Sequence, residues 1–148
     1  MSAPIPEYPA GRQLLAGKTV IVTASAGTGI GFATAKRCAE EGATVMLSDR
    51  HEKRLQEYAD RLAEELGRPV PREPCDVTVE DDVQRLFARA IDEMGHVDVI
   101  VNNAGLGGTV DVLDMTDDQW LTVLDVTLNG TFRCTRAAMA HMLSLIHI

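Results

Sequence analysis

The chain has 148 residues and a formal net charge of −8, and 45% of its residues are hydrophobic but only 4% aromatic. This length suits a single domain with a substantial core. The negative charge argues against nucleic acid and anionic membrane surfaces as partners, because both require a basic patch. No apolar run approaches the roughly 20 residues of a membrane span, so we expect no membrane contact.

Three cysteines, Cys38, Cys75 and Cys134, are odd in number and lack the spacing of metal ligands, and the four histidines are scattered along the chain. We therefore predict buried, reduced thiols and no metal site. Reduced cysteines, together with a start that lacks a secretory leader, predict a cytoplasmic protein.

The first sixteen residues contain three prolines, and we predict that 1–16 form a flexible N-terminal extension. A run of apolar and β-branched residues then follows Gly17, at 18–23, and is typical of a buried strand. We place the folded domain at 17–142.

A glycine-rich turn from Thr23 to Gly31 follows this strand and leads into an Ala-rich helix that ends at Gly42. A turn of this kind lets backbone N–H groups approach a pyrophosphate at the positive end of the helix. The turn therefore predicts a dinucleotide site, with an ordinary tight turn as the alternative.

The second predicted strand, 43–48, ends at Asp49, 18 residues beyond Gly31. A carboxylate at this point can accept both hydroxyls of the adenosine ribose, and it would repel a 2′-phosphate. Asp49 could instead cap the next helix, since Asp is a favoured N-cap residue. Arg50 beside it could suit a 2′-phosphate. On balance the pattern favours NAD over NADP as the cofactor.

The rest of the chain continues the alternation of helix and strand. A helix that stops at Gly67 is followed by a short, proline-containing and edge-like strand at 70–75. The next helix is opened by Thr78, with Asp81 three residues later, and is closed by Gly95.

The fourth predicted strand, 97–101, is a continuous apolar run, as expected for a strand covered on both faces. A last helix opens with a capping pair, Thr116 and Gln119, and continues toward His141, with Trp120 in the core. The pattern predicts an α/β fold: a Rossmann-type, doubly wound parallel sheet in a three-layer α/β/α arrangement, truncated after the helix that follows the fourth strand.

Four loops at the carboxyl ends of these strands carry glycine or polar residues: the turn at 23–31, Asp49, the segment 75–77, and Asn-Asn-Ala-Gly at 102–105. Together they resemble the short-chain dehydrogenase/reductase family over 17–142. The resemblance implies a set of cofactor-binding residues, namely Thr23, Ser25, Gly27, Thr28, Gly29, Ile30, Gly31, Asp49, Arg50, Asp76, Val77, Asn103, Ala104 and Gly105.

The same resemblance implies individual roles for some of these positions. Asp76 would bind the adenine amino group and the Val77 backbone would meet the ring. Asn102 would have a structural role, bracing the sheet against the glycine turn. Ala104 and Gly105 would line the ribose on the nicotinamide side.

The chain departs from the family pattern in its glycine turn, which is one residue longer than usual, and in its active-site Asn, which is replaced by Thr127. Helix periodicity places Asn129 on the opposite face, so we assign the catalytic position to Thr127. The family's catalytic Ser and its Tyr-x-x-x-Lys motif are absent, since neither Tyr8 nor Tyr58 has a Lys four residues later. We therefore expect a fragment that is inactive as given, with 143–148 as a non-native tail.

The resemblance implies NAD-dependent oxidation of a secondary alcohol, or reduction of a ketone, with the longer protein a homotetramer or homodimer. The glycine turn, the segment 48–55 and the segment 102–108 look like a branch of bacterial members that act in steroid-ring degradation. Members of that branch oxidise a ring hydroxyl on a hydroindane propanoyl-CoA intermediate. An NADPH-dependent 3-oxoacyl thioester reductase and a non-catalytic dinucleotide-binding module are the alternatives.

Overall fold

The computed structural model describes residues 7–107 and 110–145. Residues 1–6 of the predicted extension and 146–148 of the predicted tail lie outside this part. The elements in chain order are β1 (Thr19–Val22), α1 (Ile30–Glu40), β2 (Thr44–Asp49), α2 (Glu52–Leu66), β3 (Arg72–Pro74), α3 (Glu80–Met94), β4 (Val99–Val101), α4 (Asp117–Leu124), a π-helical turn (Asp125–Asn129) and α5 (Gly130–Ser144).

The four strands form one parallel sheet in the order β3-β2-β1-β4. Ile21 in the middle of β1 is in register with Met46 on one side and Ile100 on the other. Consecutive strands connected through helices produce this parallel order, and the predicted Rossmann-type α/β fold is confirmed.

Alternate residues of the central strands point to opposite faces of the sheet and build two cores. Val20 and Val22 of β1 pack with side chains of α1 and α2, whereas Ile21 of β1 and Met46 of β2 pack with side chains of α3 and α5. The sheet therefore lies between two helical layers, as the sequence predicted.

Most helix ends lie where the sequence predicted them. Gly67 and Gly95 follow α2 and α3 with positive φ values of 66° and 82°. Thr116 and Gln119 form the predicted capping box at the start of α4. Thr78 does not cap α3, because its N–H and hydroxyl both donate to Oδ1 of Asp76, at 2.9 and 2.7 Å.

The fourth strand is shorter and more exposed than predicted. Val99 on β4 is exposed, so the strand is not covered on both faces, and within the described residues it pairs only with β1. Trp120 on α4 is 52% exposed instead of lying in the core. Both predictions are wrong, because an apolar pattern shows which residues share a face but not whether another element covers that face.

Asp98, just before β4, accepts hydrogen bonds from Thr19 at the start of β1. Burial alone would raise the pKa of its carboxyl, but hydrogen bonds from the backbone and hydroxyl of Thr19 and from Lys18 outweigh burial and lower that pKa to about 2. The carboxylate is therefore charged throughout the neutral range.

The segment 7–16 has more contacts than a flexible extension implies. Glu41 is buried, and its Oε2 accepts hydrogen bonds from the backbone N–H groups of Arg12 and Leu14 at 2.7 and 3.2 Å. These bonds, and the ion pair with Arg37, lower the pKa of the Glu41 carboxyl. The segment is thereby tied to the C-terminal end of α1.

Within the ranges that the structure describes, every helix is too short or too polar to cross a lipid bilayer.

Candidate functional site

A cavity of about 280 Å³ opens at the carboxyl ends of the strands, where doubly wound sheets bind their ligands. Ala24 follows β1, Asp49 ends β2, Cys75 follows β3 and Ala104 follows β4, so the carboxyl ends of all four strands converge on it. Its lining residues are Ala24, Asp49, Arg50, His51, Arg54, Cys75, Asp76, Val77, Ala104, Gly105, Leu106 and Val126.

Half of this lining was predicted from the sequence, namely Asp49, Arg50, Asp76, Val77, Ala104 and Gly105. The most consequential residue that sequence reasoning missed is Arg54. It lies in the first turn of α2. Because helical side chains point back toward the N-terminus of their helix, its position shortly after Asp49 could have predicted that it reaches the cavity.

The glycine turn presents exposed backbone at the start of α1. Thr28, Gly29 and Ile30 are exposed, with Ile30 at 79%. The N-cap residue is Gly29, which has no side chain that could cap the helix. The first N–H groups of an uncapped helix seek acceptors, and the positive end of the helix dipole favours an anion. This end of α1 suits a phosphate group.

Two glycines are required by the shape of the turn. Gly27 has a φ of 152°, which a side chain would disfavour. A methyl group at Gly31 would lie 2.5 Å from the carbonyl oxygen of Ala24 and would also clash with the amide of Asn103. Gly31 therefore allows α1 to approach the loop that follows β4.

Thr23 and Ser25, two of the predicted cofactor-binding residues, are buried, and their hydroxyls form hydrogen bonds with neighbouring loops. Thr23 Oγ1 accepts hydrogen bonds from the N–H groups of Asn103 and Ala104, at 3.0 and 2.9 Å. Ser25 Oγ accepts from the N–H of Ser48 at 2.9 Å and donates to its carbonyl oxygen. Neither hydroxyl lies in the cavity lining, and a cofactor contact at these two residues stays a prediction.

The bracing role assigned to Asn102 belongs to its neighbour Asn103. The amide of Asn103 donates to the carbonyl oxygens of Thr23 and Ala24, each at 3.0 Å. Asn102 is directed elsewhere and donates to the hydroxyl of Thr135 on α5 at 3.1 Å. Asn102 is thus structural, as predicted, but it anchors α5 and not the glycine turn.

Asp49 lies at the wall of the cavity with its two carboxylate oxygens in different surroundings. Oδ1 accepts from the N–H of His51 at 2.9 Å and from Nη2 of Arg54 at 3.0 Å. Oδ2 lies 3.4 Å from the N–H of Ala26 in the glycine turn. Because His51 is the N-cap residue of α2, Asp49 supports the helix start indirectly, without capping it itself.

Thr127 faces the loop after β4, on the side predicted from helix periodicity. Its hydroxyl oxygen accepts from the N–H of Leu106 at 3.2 Å, which leaves its proton free to be donated. Asn129 instead donates to Asp125 at 3.0 Å, on a surface away from that loop. Both residues belong to the π-helical turn at Asp125–Asn129, and their side chains point to different sides of it. Such turns recur at functional sites.

A parallel sheet with an uncapped glycine turn after β1 and an acidic residue at the end of β2 defines a Rossmann-like dinucleotide-binding protein. A family model described as short chain dehydrogenase matches residues 18–146. The chain therefore belongs to the short-chain dehydrogenase family.

Three relatives show how close the match is. A Mycobacterium tuberculosis protein named (5R,7aS)-5-hydroxy-7a-methyl-1-oxo-2,3,5,6,7,7a-hexahydro-1H-indene-carboxyl-CoA reductase is 53% identical over 143 residues, which cover 96% of this chain and 54% of that protein. A 3beta-hydroxysteroid dehydrogenase of Mediterraneibacter gnavus is 42% identical over 80% of this chain and 43% of its own length. A crystal structure of a short chain dehydrogenase from Mycobacterium smegmatis superposes with a TM-score of 0.89 at 49% identity, covering 94% of this chain and 58% of that one. The chain thus spans about half the length of the relatives that it matches.

Proposed function

We propose that this chain is the cofactor-binding part of a longer NAD-dependent oxidoreductase, with 17–142 as part of its Rossmann domain and 143–148 as a non-native tail. The observation that carries the proposal is the buried carboxylate of Asp49 at the wall of the cavity. Its Oδ2 has one long contact, with Ala26, and is available to a ribose hydroxyl. A 2′-phosphate brought to the same oxygen would be repelled.

The cavity can hold the other parts of the dinucleotide in a definite order. Asp76 uses Oδ1 to bind Thr78, and its other oxygen can accept a hydrogen bond from the adenine amino group. The pyrophosphate would lie at the exposed N–H groups from Gly27 to Gly31, and the nicotinamide-side ribose would lie against Ala104 and Gly105. The cofactor supplies the hydride transfer, and the protein supplies its orientation.

The proton chemistry requires residues beyond those of this chain. Tyr8 lies against Glu40 and Arg37, and Tyr58 stacks edge-to-face on Phe32, so neither phenol is among the lining residues of the cavity. We propose that a later segment of the longer protein supplies a Ser and a Tyr-x-x-x-Lys motif for general acid–base catalysis. Thr127, with its free hydroxyl proton, would support that proton transfer.

The substrate that we propose is a secondary alcohol or ketone on a steroid-derived CoA thioester. The names of two relatives, a hydroxy-hexahydroindene carboxyl-CoA reductase and a 3beta-hydroxysteroid dehydrogenase, support a polycyclic substrate. The first name specifies a carboxyl-CoA ester, whereas the sequence motifs suggested a propanoyl-CoA ester. The proposal is therefore the ring system and the CoA thioester, without a fixed acyl length.

We also propose an assembly and a location, which the apolar surface and the cysteines support. Large apolar side chains on α4, the π-helical turn and α5 are exposed, including Trp120, Leu121, Leu128, Phe132 and Met139. Exposed apolar patches of this kind mark interfaces, and they support a homotetramer or homodimer of the longer protein. The three unpaired cysteines suit the reducing cytoplasm.

An NADPH-dependent 3-oxoacyl thioester reductase is the second candidate, because Arg50 and Arg54 both line the ribose end of the cavity. A non-catalytic dinucleotide-binding module is the third, since the chain contains no Tyr-x-x-x-Lys motif.

The deciding experiment assays the full-length protein with NAD or NADP and two substrates, a hydroxylated hydroindane CoA ester and a linear 3-hydroxyacyl-CoA. The proposal predicts turnover with NAD and a higher kcat/KM for the hydroindane ester. Preference for NADP and the linear ester would establish the second candidate. Tight nucleotide binding without any turnover, together with a full-length sequence that lacks Tyr-x-x-x-Lys, would establish the third.

A further inference from the structure

Arg54 is partly exposed to solvent and forms an ion pair with Asp49, the buried acid of the cavity. It is the third residue of α2, its side chain is 47% exposed, and its Nη2 lies 3.0 Å from Oδ1 of Asp49, whose side chain is only 4% exposed. Both residues line the cavity. A partly exposed cation is therefore held beside the position where a ribose would bind.

The two oxygens of Asp49 are not equivalent to an incoming ribose. Oδ1 already accepts two N–H donors, from His51 and Arg54, whereas Oδ2 has a single contact of 3.4 Å with the N–H of Ala26. Oδ2 is thus the available acceptor. Arg54 keeps the carboxylate in this orientation and also offsets part of its negative charge.

We propose that Asp49 and Arg54 together set the choice between NAD and NADP, with Arg54 as a specificity-determining residue. This proposal rests on the nucleotide site of the proposed function. While Asp49 is present, Arg54 is held in the ion pair and moderates the repulsion of a 2′-phosphate. When the carboxylate is removed, the guanidinium is released toward the cavity. Its planar set of N–H donors then matches the oxygens of a 2′-phosphate.

The proposal makes two quantitative predictions. Arg54→Gln leaves the Asp49 charge uncompensated, so the ratio of NAD affinity to NADP affinity should rise about three- to fivefold, the range of a partly exposed ion pair. Asp49→Asn should strengthen NADP binding about tenfold or more, because a guanidinium–phosphate bond replaces a repulsion. Adding Arg54→Gln to Asp49→Asn should abolish most of that gain, so the two effects are not additive.

The experiment titrates NAD and NADP separately into the full-length protein by isothermal titration calorimetry. The variants are wild type, Arg54→Gln, Asp49→Asn and the double variant. Arg61→Gln is the matched control, because Arg61 is another exposed arginine of α2, pairs with Glu65 and lies outside the cavity lining. The control should leave the NAD-to-NADP ratio unchanged.

Each outcome decides something different. A gain in NADP affinity that persists in the double variant, or an Arg54→Gln ratio equal to that of Arg61→Gln, overturns the role of Arg54 and leaves the proposed function intact. A wild type that binds neither nucleotide overturns both proposals. A wild type that prefers NADP, with that preference lost in Arg54→Gln, refutes the NAD assignment and supports Arg54 as the determinant. If Asp49→Asn does not fold, the comparison of Arg54→Gln with Arg61→Gln alone decides.

Discussion

The hydroxyl of Thr23 joins the glycine turn to the loop after β4, and replacing Thr23 by Val should weaken both. Valine has the same shape but no hydroxyl, so the N–H of Ala104 would lose its acceptor, whereas the N–H of Asn103 would keep the carbonyl oxygen of Val101, at 2.9 Å. Thr23 itself is 1% exposed, so water cannot easily replace it. Because one N–H is left without an acceptor, we expect a loss of about 1–3 kcal/mol.

Thermal unfolding of the full-length protein measures this loss, with Thr23→Ser as the matched control. Serine keeps the hydroxyl and loses one methyl group, which costs about 1 kcal/mol. At roughly 2–4 °C per kcal/mol for a domain of this size, the melting temperature of Thr23→Val should fall about 2–12 °C below wild type and below that of Thr23→Ser. Equal melting temperatures for the two variants would refute the reasoning that the hydroxyl satisfies these donors.

Three further predictions follow from the same geometry. Gly31→Ala should weaken NAD binding about tenfold or more, because the added methyl group would lie 2.5 Å from a backbone carbonyl oxygen and displace the turn. The control is Gly107→Ala, whose methyl group meets open space, so its NAD affinity in a titration should equal that of wild type. Thr127→Ala should lower kcat while Asn129→Ala should not, and the reverse pattern in steady-state assays would show that the helix register is wrong. Asp98 has its pKa lowered to about 2, so its stabilising effect is present above the ordinary Asp pKa of about 4 and is lost as the pH falls toward 2. The difference in unfolding free energy between wild type and Asp98→Asn should therefore shrink over that interval. A difference that stays constant with pH would contradict this prediction.

Local patterns predicted the sheet, the helix ends and the position of the site. Gly67 and Gly95 end their helices because glycine adopts positive φ at no steric cost, which is a local property. Asp49 lies at the cavity because the carboxyl end of a parallel strand has a fixed location in the fold. Both inferences require only the neighbouring residues.

Features that depend on distant contacts were not predictable in this way. Asn102 and Asn103 are the same residue type in adjacent positions, and only the course of the chain after β4 decides which amide reaches the glycine turn. Glu41 looks like an ordinary helix-end acid until the segment 7–16 folds over it. Trp120 is exposed although periodicity placed it on an apolar face, because periodicity does not report whether another element covers that face.

The central claim is that NAD binds along the carboxyl ends of the strands with its adenosine ribose on Asp49. A crystal structure of the full-length protein with NAD tests it most directly. The account predicts a ribose hydroxyl within hydrogen-bond distance of Oδ2 of Asp49, the pyrophosphate at the N-terminus of α1, and the nicotinamide end near Ala104 and Thr127. Nucleotide bound elsewhere, or a ribose turned away from Asp49 toward Arg54, would contradict it.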